Sequence, residues 1–455
     1  MDVGTISIVL LIGMIVLLAI GMPLGFASGF LAVIVLLMKF GPDFLFGAFG
    51  SGPLGILAQR MYGLTTDYVL ISVPLFIFMA CLLERSGIAR DMYSSLNIWL
   101  SRTRGGIAVV TAIMAIIMAA MSGIIGGEVV LLGLIALPQM LRLGYNQNLA
   151  VGTICASGSL GTMIPPSIVL IIYGLITETS IHALFRAAFV PGFLLGGLYI
   201  VYILIRTRLH PEQAPLPEGG ADVTFADKLK SLPKLIPPLL VVFVVLGSIY
   251  GGITGITEAA GMGTIAVLII IFLRRELTWL LFREALMRTF KSTGTIMWVT
   301  FGATALAGAY SIAGGPTYVA NLIVGADLPT MGILLVMMVI FLFLGAIMDW
   351  VGIVLLVMPV FLPIVKALPV EEIGLVGSSL EAAAVSIWFG ILFCVNMQVS
   401  FLSPPFGPAA FYLKSVAPPH ITLPDIFRGF MPFIGIQLFV LAIVLLWPGI
   451  TMFFR

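Results

Sequence analysis

The chain has 455 residues, of which 60% are hydrophobic and only 9% are charged, and its formal net charge is +2. A water-soluble fold of this length could not cover itself with so little polar sequence, so we expect an all-α polytopic membrane protein in a lipid bilayer. The apolar segments have the length of spanning helices, not of barrel strands. No Arg/Lys cluster with interleaved aromatics occurs, and we expect no nucleic-acid partner.

The first half begins with apolar runs at 4–22 and 24–40, and the first run lacks the basic segment and cleavage site of a signal peptide. A Gly-rich stretch, 41–69, follows and contains a short amphipathic piece at Leu57–Met61. Further spans are predicted at 71–84, 106–120 and 188–206. Between them, the Gly-rich break at 122–128 and the apolar run to Pro138 predict a re-entrant hairpin, because they are too short for two spans.

A long polar connection, 206–234, separates the halves. Basic residues precede the predicted span 236–251 and follow the predicted span 257–273. Because an even number of spans separates these two basic loops, they lie on one side of the membrane, and the positive-inside rule identifies that side as the cytoplasm. The second half contains predicted spans at 293–313, 331–346 and 431–449, with a second hairpin from Asp349 to Pro363. The three cysteines lie in apolar segments and predict neither a disulfide framework nor a metal centre: Cys81, Cys155 and Cys394.

The stretch 155–173 interrupts an apolar run with Gly and Pro, and the same pattern returns 239 positions later. The matching pairs are Cys155 and Cys394, Pro165 and Pro404, Pro166 and Pro405, and Tyr173 and Tyr412. The hairpins align with a shift of 225, which puts Pro138 on Pro363. Broken helices in two halves predict a binding site between internal repeats. We expect inverted repeats, although the spans counted along the sequence leave the halves parallel.

Several motifs together resemble the large membrane subunit of tripartite ATP-independent periplasmic (TRAP) transporters. They are Val73-Pro-Leu-Phe76, Glu84-Arg-Ser-Gly-Ile88, Ala156-Ser-Gly-Ser-Leu-Gly161, Ile164-Pro-Pro-Ser167, Thr257-Glu-Ala-Ala260, Met348-Asp349, Trp388-Phe-Gly390 with Asn396, and Ser403-Pro-Pro-Phe-Gly407. The resemblance implies a sodium-driven importer of small organic anions in the bacterial inner membrane. It also implies two partners, a small membrane subunit and a periplasmic substrate-binding protein, with Na⁺ as coupling ion and no other metal or cofactor.

The breaks also suggest how ion and anion are held. Half-helix N-termini offer N–H groups to an anion, and unwound carbonyls offer oxygens to a cation. We expect one sodium site at Ser122, Gly123, Gly158 and Gly161, and another at Asp349, Asn396, Ser403 and Gly407. We expect substrate at Ser157, Ser159, Pro165, Pro166, Ser167, Pro404, Pro405 and Glu128. A charged Asp349 in an apolar stretch costs free energy unless it is paired or hydrated. This favours a functional role for Asp349 over that of an acidic residue at the edge of a loop.

The sequence departs from the family pattern at both hairpins, where other residues replace the usual hydroxyl residues. They are Ile124, Ile125 and Glu128 in the first hairpin, and Trp350 and Val351 in the second. Glu128 either caps the second helix of its hairpin or supplies an acidic oxygen to the site. Glu258 is expected to cap a helix, and Tyr173 and Tyr412 either touch substrate or anchor helix ends at the interface.

Two other functions compete with transport. An intramembrane serine enzyme would use Ser157 or Ser122, but the histidines are predicted to lie in loops and offer no buried base. A passive channel would also contain re-entrant segments. For the transporter we expect about 11–12 spans, two hairpins and an elevator mechanism. The predicted scaffold comprises 1–65 and 188–275, and the transport domain comprises 66–187 and 276–430. A terminal span, 431–455, follows them.

Overall fold

The computed structural model describes residues 2–42, 52–100, 102–123, 126–216, 223–325, 328–375, 380–405 and 407–454. Within these ranges the chain forms α-helices and short 3₁₀ turns, with no strand. Eight of the described helices are long and apolar enough to cross a membrane. Ile124, Ile125 and Phe406, which belong to predicted motifs, lie outside the described residues.

The first half contains ten helices: α1 (Val3–Ala19), α2 (Leu24–Phe40), α3 (Pro53–Thr65), α4 (Ser72–Arg85), α5 (Ile88–Leu100), α6 (Gly106–Ser122), α7 (Gly127–Arg142), α8 (Gln147–Gly158), α9 (Ile168–Thr177) and α10 (Ile181–Leu209). The predicted break in the first broken helix is confirmed. Helix α8 ends at Gly158, a 3₁₀ turn covers Ser159–Thr162, and α9 starts only after the double proline.

The second half also contains ten helices: α11 (Phe225–Ser231), α12 (Ile236–Tyr250), α13 (Ile256–Leu273), α14 (Trp279–Ala313), α15 (Gly315–Val324), α16 (Thr330–Gly345), α17 (Trp350–Ala367), α18 (Val385–Leu402), α19 (Pro408–Lys414) and α20 (Leu423–Leu446). The second predicted break is confirmed between α18 and α19. Pro404–Pro405 lies there, and its peptide bond is cis, like that of Pro165–Pro166.

Helices α6 and α16 cover the predicted spans 106–120 and 331–346. Helix α6 has 17 residues, as do α1 and α2, and α16 has 16. All four are shorter than the eight helices that are long enough to cross a membrane. Helices α6 and α16 each pack against the helix that follows after a short turn. We call residues 106–142 hairpin 1 and residues 330–367 hairpin 2.

The two halves place the same elements in the same order. A hairpin, a broken helix and a long helix follow one another in α6–α10 and again in α16–α20. Packing across the halves is reciprocal, because α2 lies against α14 and α13 lies against α4. The long helices α10 and α20 both pack on the broken helices, whereas α14 packs on α2, α3, α4 and α17.

Both basic loops lie at one end of the molecule. The Arg274 guanidinium hydrogen-bonds Asp91 of α5 at 2.5 Å, and Lys234 Nζ lies 4.0 Å from the same carboxylate. Arg274 follows α13 and Lys234 precedes α12, so these two helices run away from that end and return. This agrees with the common side that the charge pattern predicted.

Candidate functional site

The two broken helices meet through a buried polar network. Ser159 Oγ donates to Gln398 Oε1 at 2.8 Å, and Gln398 Nε2 donates to Thr162 Oγ1. Thr162 Oγ1 in turn lies 3.1 Å from the Ser159 carbonyl, and all three side chains are buried. A closed network of this kind fixes both helix breaks relative to each other, because each group would be costly if left unpaired.

Sequence reasoning missed Gln398 and Thr162. A signal for Gln398 was available, because it stands 239 positions after Ser159, the same shift that relates the double prolines. Ser159 was predicted, and the structure adds its partner.

The tip of hairpin 1 touches the loop of the first broken helix. Gly123 ends α6 with a φ of 62°, and its carbonyl accepts from the Ile168 amide at 3.4 Å. A Cβ on Gly123 would collide with the Pro166 carbonyl. Gly158 packs equally closely, because its Cβ would lie 2.7 Å from Val129 Cγ2 in the first turn of α7. Glycine at both positions is therefore what lets the tip and the break come together.

Glu128 lies in this contact region. It is 1% exposed and sits in the first turn of α7, where Ser122 Oγ donates to its Oε1. Its second oxygen, Oε2, is buried without a hydrogen-bond partner. The hydroxyl of Ser157 is also buried and unpaired. Buried polar atoms are normally hydrogen-bonded, so these two oxygens are available to a ligand.

The other predicted residues of the first half lie in the same loop. Ser167 caps α9, with its Oγ accepting from the Leu170 amide at 3.4 Å and donating to the Thr162 carbonyl. Pro165 and Pro166 are buried beside it, and Gly161 lies in the 3₁₀ turn. The structure thus gathers the first predicted ion site and its substrate residues around one tip.

In the second half, Asp349 immediately precedes α17 and is exposed. It lines a small pocket at the tip of hairpin 2 together with Gly345, Met348, Trp350, Met397, Ser400, Phe401 and Pro408. Ser400 was not predicted, yet its side chain packs so tightly on Gly345 that a Cβ there would collide with it.

The remaining residues predicted near Asp349 do not line its pocket. Asn396 Nδ2 donates to the Met338 carbonyl at 3.0 Å, while its Oδ1 is buried without a hydrogen-bond partner. Ser403 Oγ donates to the Val399 carbonyl at 2.8 Å, and Gly407 precedes α19. Pro404 and Pro405 are exposed, whereas their counterparts Pro165 and Pro166 are buried. The second half of the predicted site therefore combines exposed and buried residues, whereas the first half is buried.

An ion pair missed from the sequence stands beside hairpin 1. Arg288 Nη1 of α14 donates to Glu84 Oε2 of α4 at 2.8 Å, and the Glu84 side chain is only 9% exposed. A Cβ on Gly127 would collide with the Glu84 carboxylate, and one on Gly126 would lie 2.9 Å from Tyr412 Cζ.

Three single-residue expectations have clear outcomes. Tyr173 is buried and donates to the Ser386 carbonyl at 2.7 Å, so it is not an interfacial anchor. Glu258 lies in the first turn of α13, as expected of a capping residue. His182 lies in the first turn of α10 and not in a loop, with Nε2 3.0 Å from the Ile249 carbonyl. Among the described residues no cluster of three or more His, Cys, Asp or Glu could hold a metal ion.

Comparison with known families decides the class of protein. The family model for the DctM component of the tripartite ATP-independent periplasmic transporter matches residues 11–450. The chain belongs to this family. It is therefore the large permease subunit of a TRAP system, a multi-pass inner-membrane transporter and not an enzyme.

Relatives named for different substrates match almost the whole TRAP permease. The C4-dicarboxylate permease DctM of Pseudomonas aeruginosa is 29% identical over 87% of this chain and 88% of its own length. The sialic acid permease SiaM of Vibrio cholerae is 25% identical over 97% and 96%. The ectoine permease TeaC of Halomonas elongata is 27% identical over 99% and 98%.

Solved structures agree on the fold. The YdaH transporter of Alcanivorax borkumensis superposes with a TM-score of 0.55 at 14% identity, covering 94% of this chain and 97% of that one. At this identity the likeness shows the fold alone. Family membership implies a secondary transporter of organic acids that works in a tripartite system with a periplasmic binding protein and a small membrane subunit.

Proposed function

We propose that this chain imports a small organic anion, a carboxylate or a related acid, in symport with Na⁺ after a periplasmic binding protein delivers it. The relatives are named for a C4-dicarboxylate, sialic acid and ectoine. These compounds differ in size and shape but each carries a carboxyl group. The carboxyl group is therefore the feature that we propose the permease recognises.

The observation that carries the proposal is the buried network of Ser159, Thr162 and Gln398 between two helix breaks, each with a hairpin tip beside it. Half-helix ends at such breaks offer amide N–H groups to a carboxylate and free carbonyls to a cation. The network holds both breaks together, so that one small volume serves ion and anion.

For sodium we propose two places. The first uses Ser122, Gly123, Gly158 and Gly161, with the unpaired oxygen of Glu128 nearby. The second is centred on Asp349, and its neighbour Ser400 is a better candidate ligand than Ser403, because Ser400 lines the Asp349 pocket. Oxygen ligands of this type suit a hard cation. No further cofactor enters the proposal.

The packing also supports an elevator motion between two bodies. We propose that the transport body comprises α6–α10 and α16–α20, because α10 and α20 pack on the broken helices. The scaffold comprises α1–α5 and α11–α15. This moves the predicted domain boundaries at 66, 188, 276 and 431, since α4 packs mainly on α13 and α14, and α14 packs mainly on α2 and α4. Both helices also contact the hairpins, α4 at α6 and α7, and α14 at α17.

The halves are proposed to be inverted. When hairpin 1 is removed from the count of spans, the crossing elements before the central loop are α1, α2, α4, the pair α8–α9, and α10. Five crossings put the start of the second half on the opposite side, so the repeated elements point the other way. Counting 106–120 as a span is what made the halves parallel.

The decisive experiment is reconstitution of the chain in proteoliposomes with its small subunit and binding protein. With an inward Na⁺ gradient we expect labelled substrate to accumulate above its external concentration, and no accumulation when Na⁺, the small subunit or the binding protein is omitted. Uptake by the chain alone, driven only by the substrate gradient, would overturn the proposal and favour a passive channel. The C4-dicarboxylate succinate, sialic acid and ectoine are the first substrates to test.

A further inference from the structure

The ion pair of Glu84 and Arg288 borders hairpin 1 outside the proposed binding site. Glu84 lies in the last turn of α4 and Arg288 lies on α14, both in the proposed scaffold. A second ion pair, Arg85 with Glu284, joins the same two helices one residue away. The two pairs tie α4 to α14, so the Glu84 carboxylate is held in a fixed position.

The tip of hairpin 1 rests directly on this carboxylate. Glu84 Oε1 occupies the space where a side chain on Gly127 would begin, while Arg288 holds the other oxygen, Oε2. Gly127 is the first residue of α7. The contact therefore joins a scaffold side chain to the backbone of the moving hairpin, and only glycine permits it.

The tip of hairpin 1 also touches the second half of the site. The ring of Tyr412, on α19, lies against Gly126, the residue before Gly127. The tip is therefore held between the Glu84 carboxylate and the second broken helix.

We propose that the Glu84–Arg288 pair is a docking latch that holds the transport body against the scaffold in the arrangement seen here, with Gly127 as its contact on the hairpin. The inference rests on the proposed two-body arrangement. When the transport body moves along the scaffold, the Gly127 backbone leaves the Glu84 carboxylate, and the ion pair stays behind on α4 and α14.

The latch is tested by a crosslink between the bodies that does not involve latch residues. Leu24 of α2 and Gly352 of α17 are in direct contact across the seam. We would replace Cys81, Cys155 and Cys394 with alanine, introduce Leu24→Cys and Gly352→Cys, and measure the yield with a short dithiol crosslinker in membranes of the full chain. Sodium, substrate and partner subunits are left out, so the readout is independent of import.

The expected result is a strong crosslink in the parent pair and at least a threefold lower yield with either Gly127→Ala or Glu84→Asp. The double variant should recover most of the parent yield, because the shorter carboxylate leaves room for the methyl group. Gly435→Ala on α20, a glycine with open space around it, is the matched control and should leave the yield unchanged.

The latch would be overturned if both single variants kept the parent crosslink yield, or if the yield of the double variant were no higher than that of Gly127→Ala. If the parent cysteine pair did not crosslink, the contact between α2 and α17 seen here would be wrong, and the latch would be overturned with it. Failure of the proposed import would look different, because Na⁺-driven uptake would then be missing from the unaltered complex while the crosslink data stood.

Discussion

Ser159 and Gln398 share a hydrogen bond of 2.8 Å although 239 positions separate them along the chain. The same shift superposes the double prolines of the two halves. In the proposed inverted repeat, residues at equivalent positions touch only close to the axis that relates the two halves. The bond therefore places the proposed axis at the contact between the two broken helices.

Replacing Gln398 with leucine tests whether this network serves transport. The change leaves Ser159 and Thr162 buried without their partner, and should cost about 1–3 kcal/mol of stability. We expect a lower melting temperature of the purified permease and a loss of Na⁺ stimulation of uptake.

Gln437→Leu is the matched control, because Gln437 is equally buried and donates to Tyr199 Oη at 2.8 Å outside the site. It should lower the melting temperature but keep Na⁺ stimulation. Equal transport defects in the two variants would assign Gln398 to stability alone.

Gly123→Ala tests the contact between hairpin 1 and the first break. Left-handed backbone costs an alanine about 1–2 kcal/mol. The added methyl group also collides with the Pro166 carbonyl. Uptake should fall at least tenfold. Gly252→Ala carries the same backbone cost, with a φ of 65° and open space around it, and should keep uptake within twofold. Similar activities in the two variants would remove the tip contact from the mechanism.

Asp349→Asn should raise the Na⁺ concentration for half-maximal uptake at least fivefold, since a neutral amide is a weaker ligand for a hard cation than a carboxylate. Binding of the periplasmic protein to the permease, measured by surface plasmon resonance, should be unchanged. Glu371→Gln removes an exposed carboxylate from a loop and serves as control. An unaltered Na⁺ dependence would exclude Asp349 as a ligand.

Glu128→Gln separates the two roles that Glu128 could have. Glutamine keeps an acceptor for the Ser122 hydroxyl but loses the charge, so we expect slower uptake and a higher Na⁺ requirement in an intact complex. Glu258→Gln, in the first turn of α13, is the matched capping residue and should change melting temperature only. If Glu128→Gln shows a normal Na⁺ profile, its carboxylate acts as a helix cap.

The helix breaks could be predicted from sequence because local chemistry produces them. Gly158, Pro165 and Pro404 interrupt hydrogen bonding within their own segment, whatever the rest of the chain does. The same is true of the hairpin turns at Gly123 and before Trp350. Predicted and observed breaks agree for this reason.

The contacts between distant segments could not be predicted in this way. Arg288 is 204 positions from Glu84, and nothing within either helix marks the other as its partner. The proposed pairing of α6 with α7 in one hairpin could not be predicted either, because the apolar run at 106–120 has the composition of a span and the pairing rests on packing. The burial of a residue could not be predicted locally either, because it depends on packing. Pro165 and Pro404 each begin a double proline, yet Pro165 is buried and Pro404 is exposed.

Helices α1 and α2 are each 17 residues long, which is about 26 Å and several ångströms less than a typical hydrocarbon core. Ile8, Leu11 and Ile12 are exposed on α1 and form an apolar surface that suits lipid acyl chains. We expect the bilayer to thin locally around this edge, at a cost of a fraction of a kcal/mol per ångström of mismatch. The transport rate should therefore depend on acyl-chain length. Membranes of longer lipids should slow turnover without a change in any residue of the binding site.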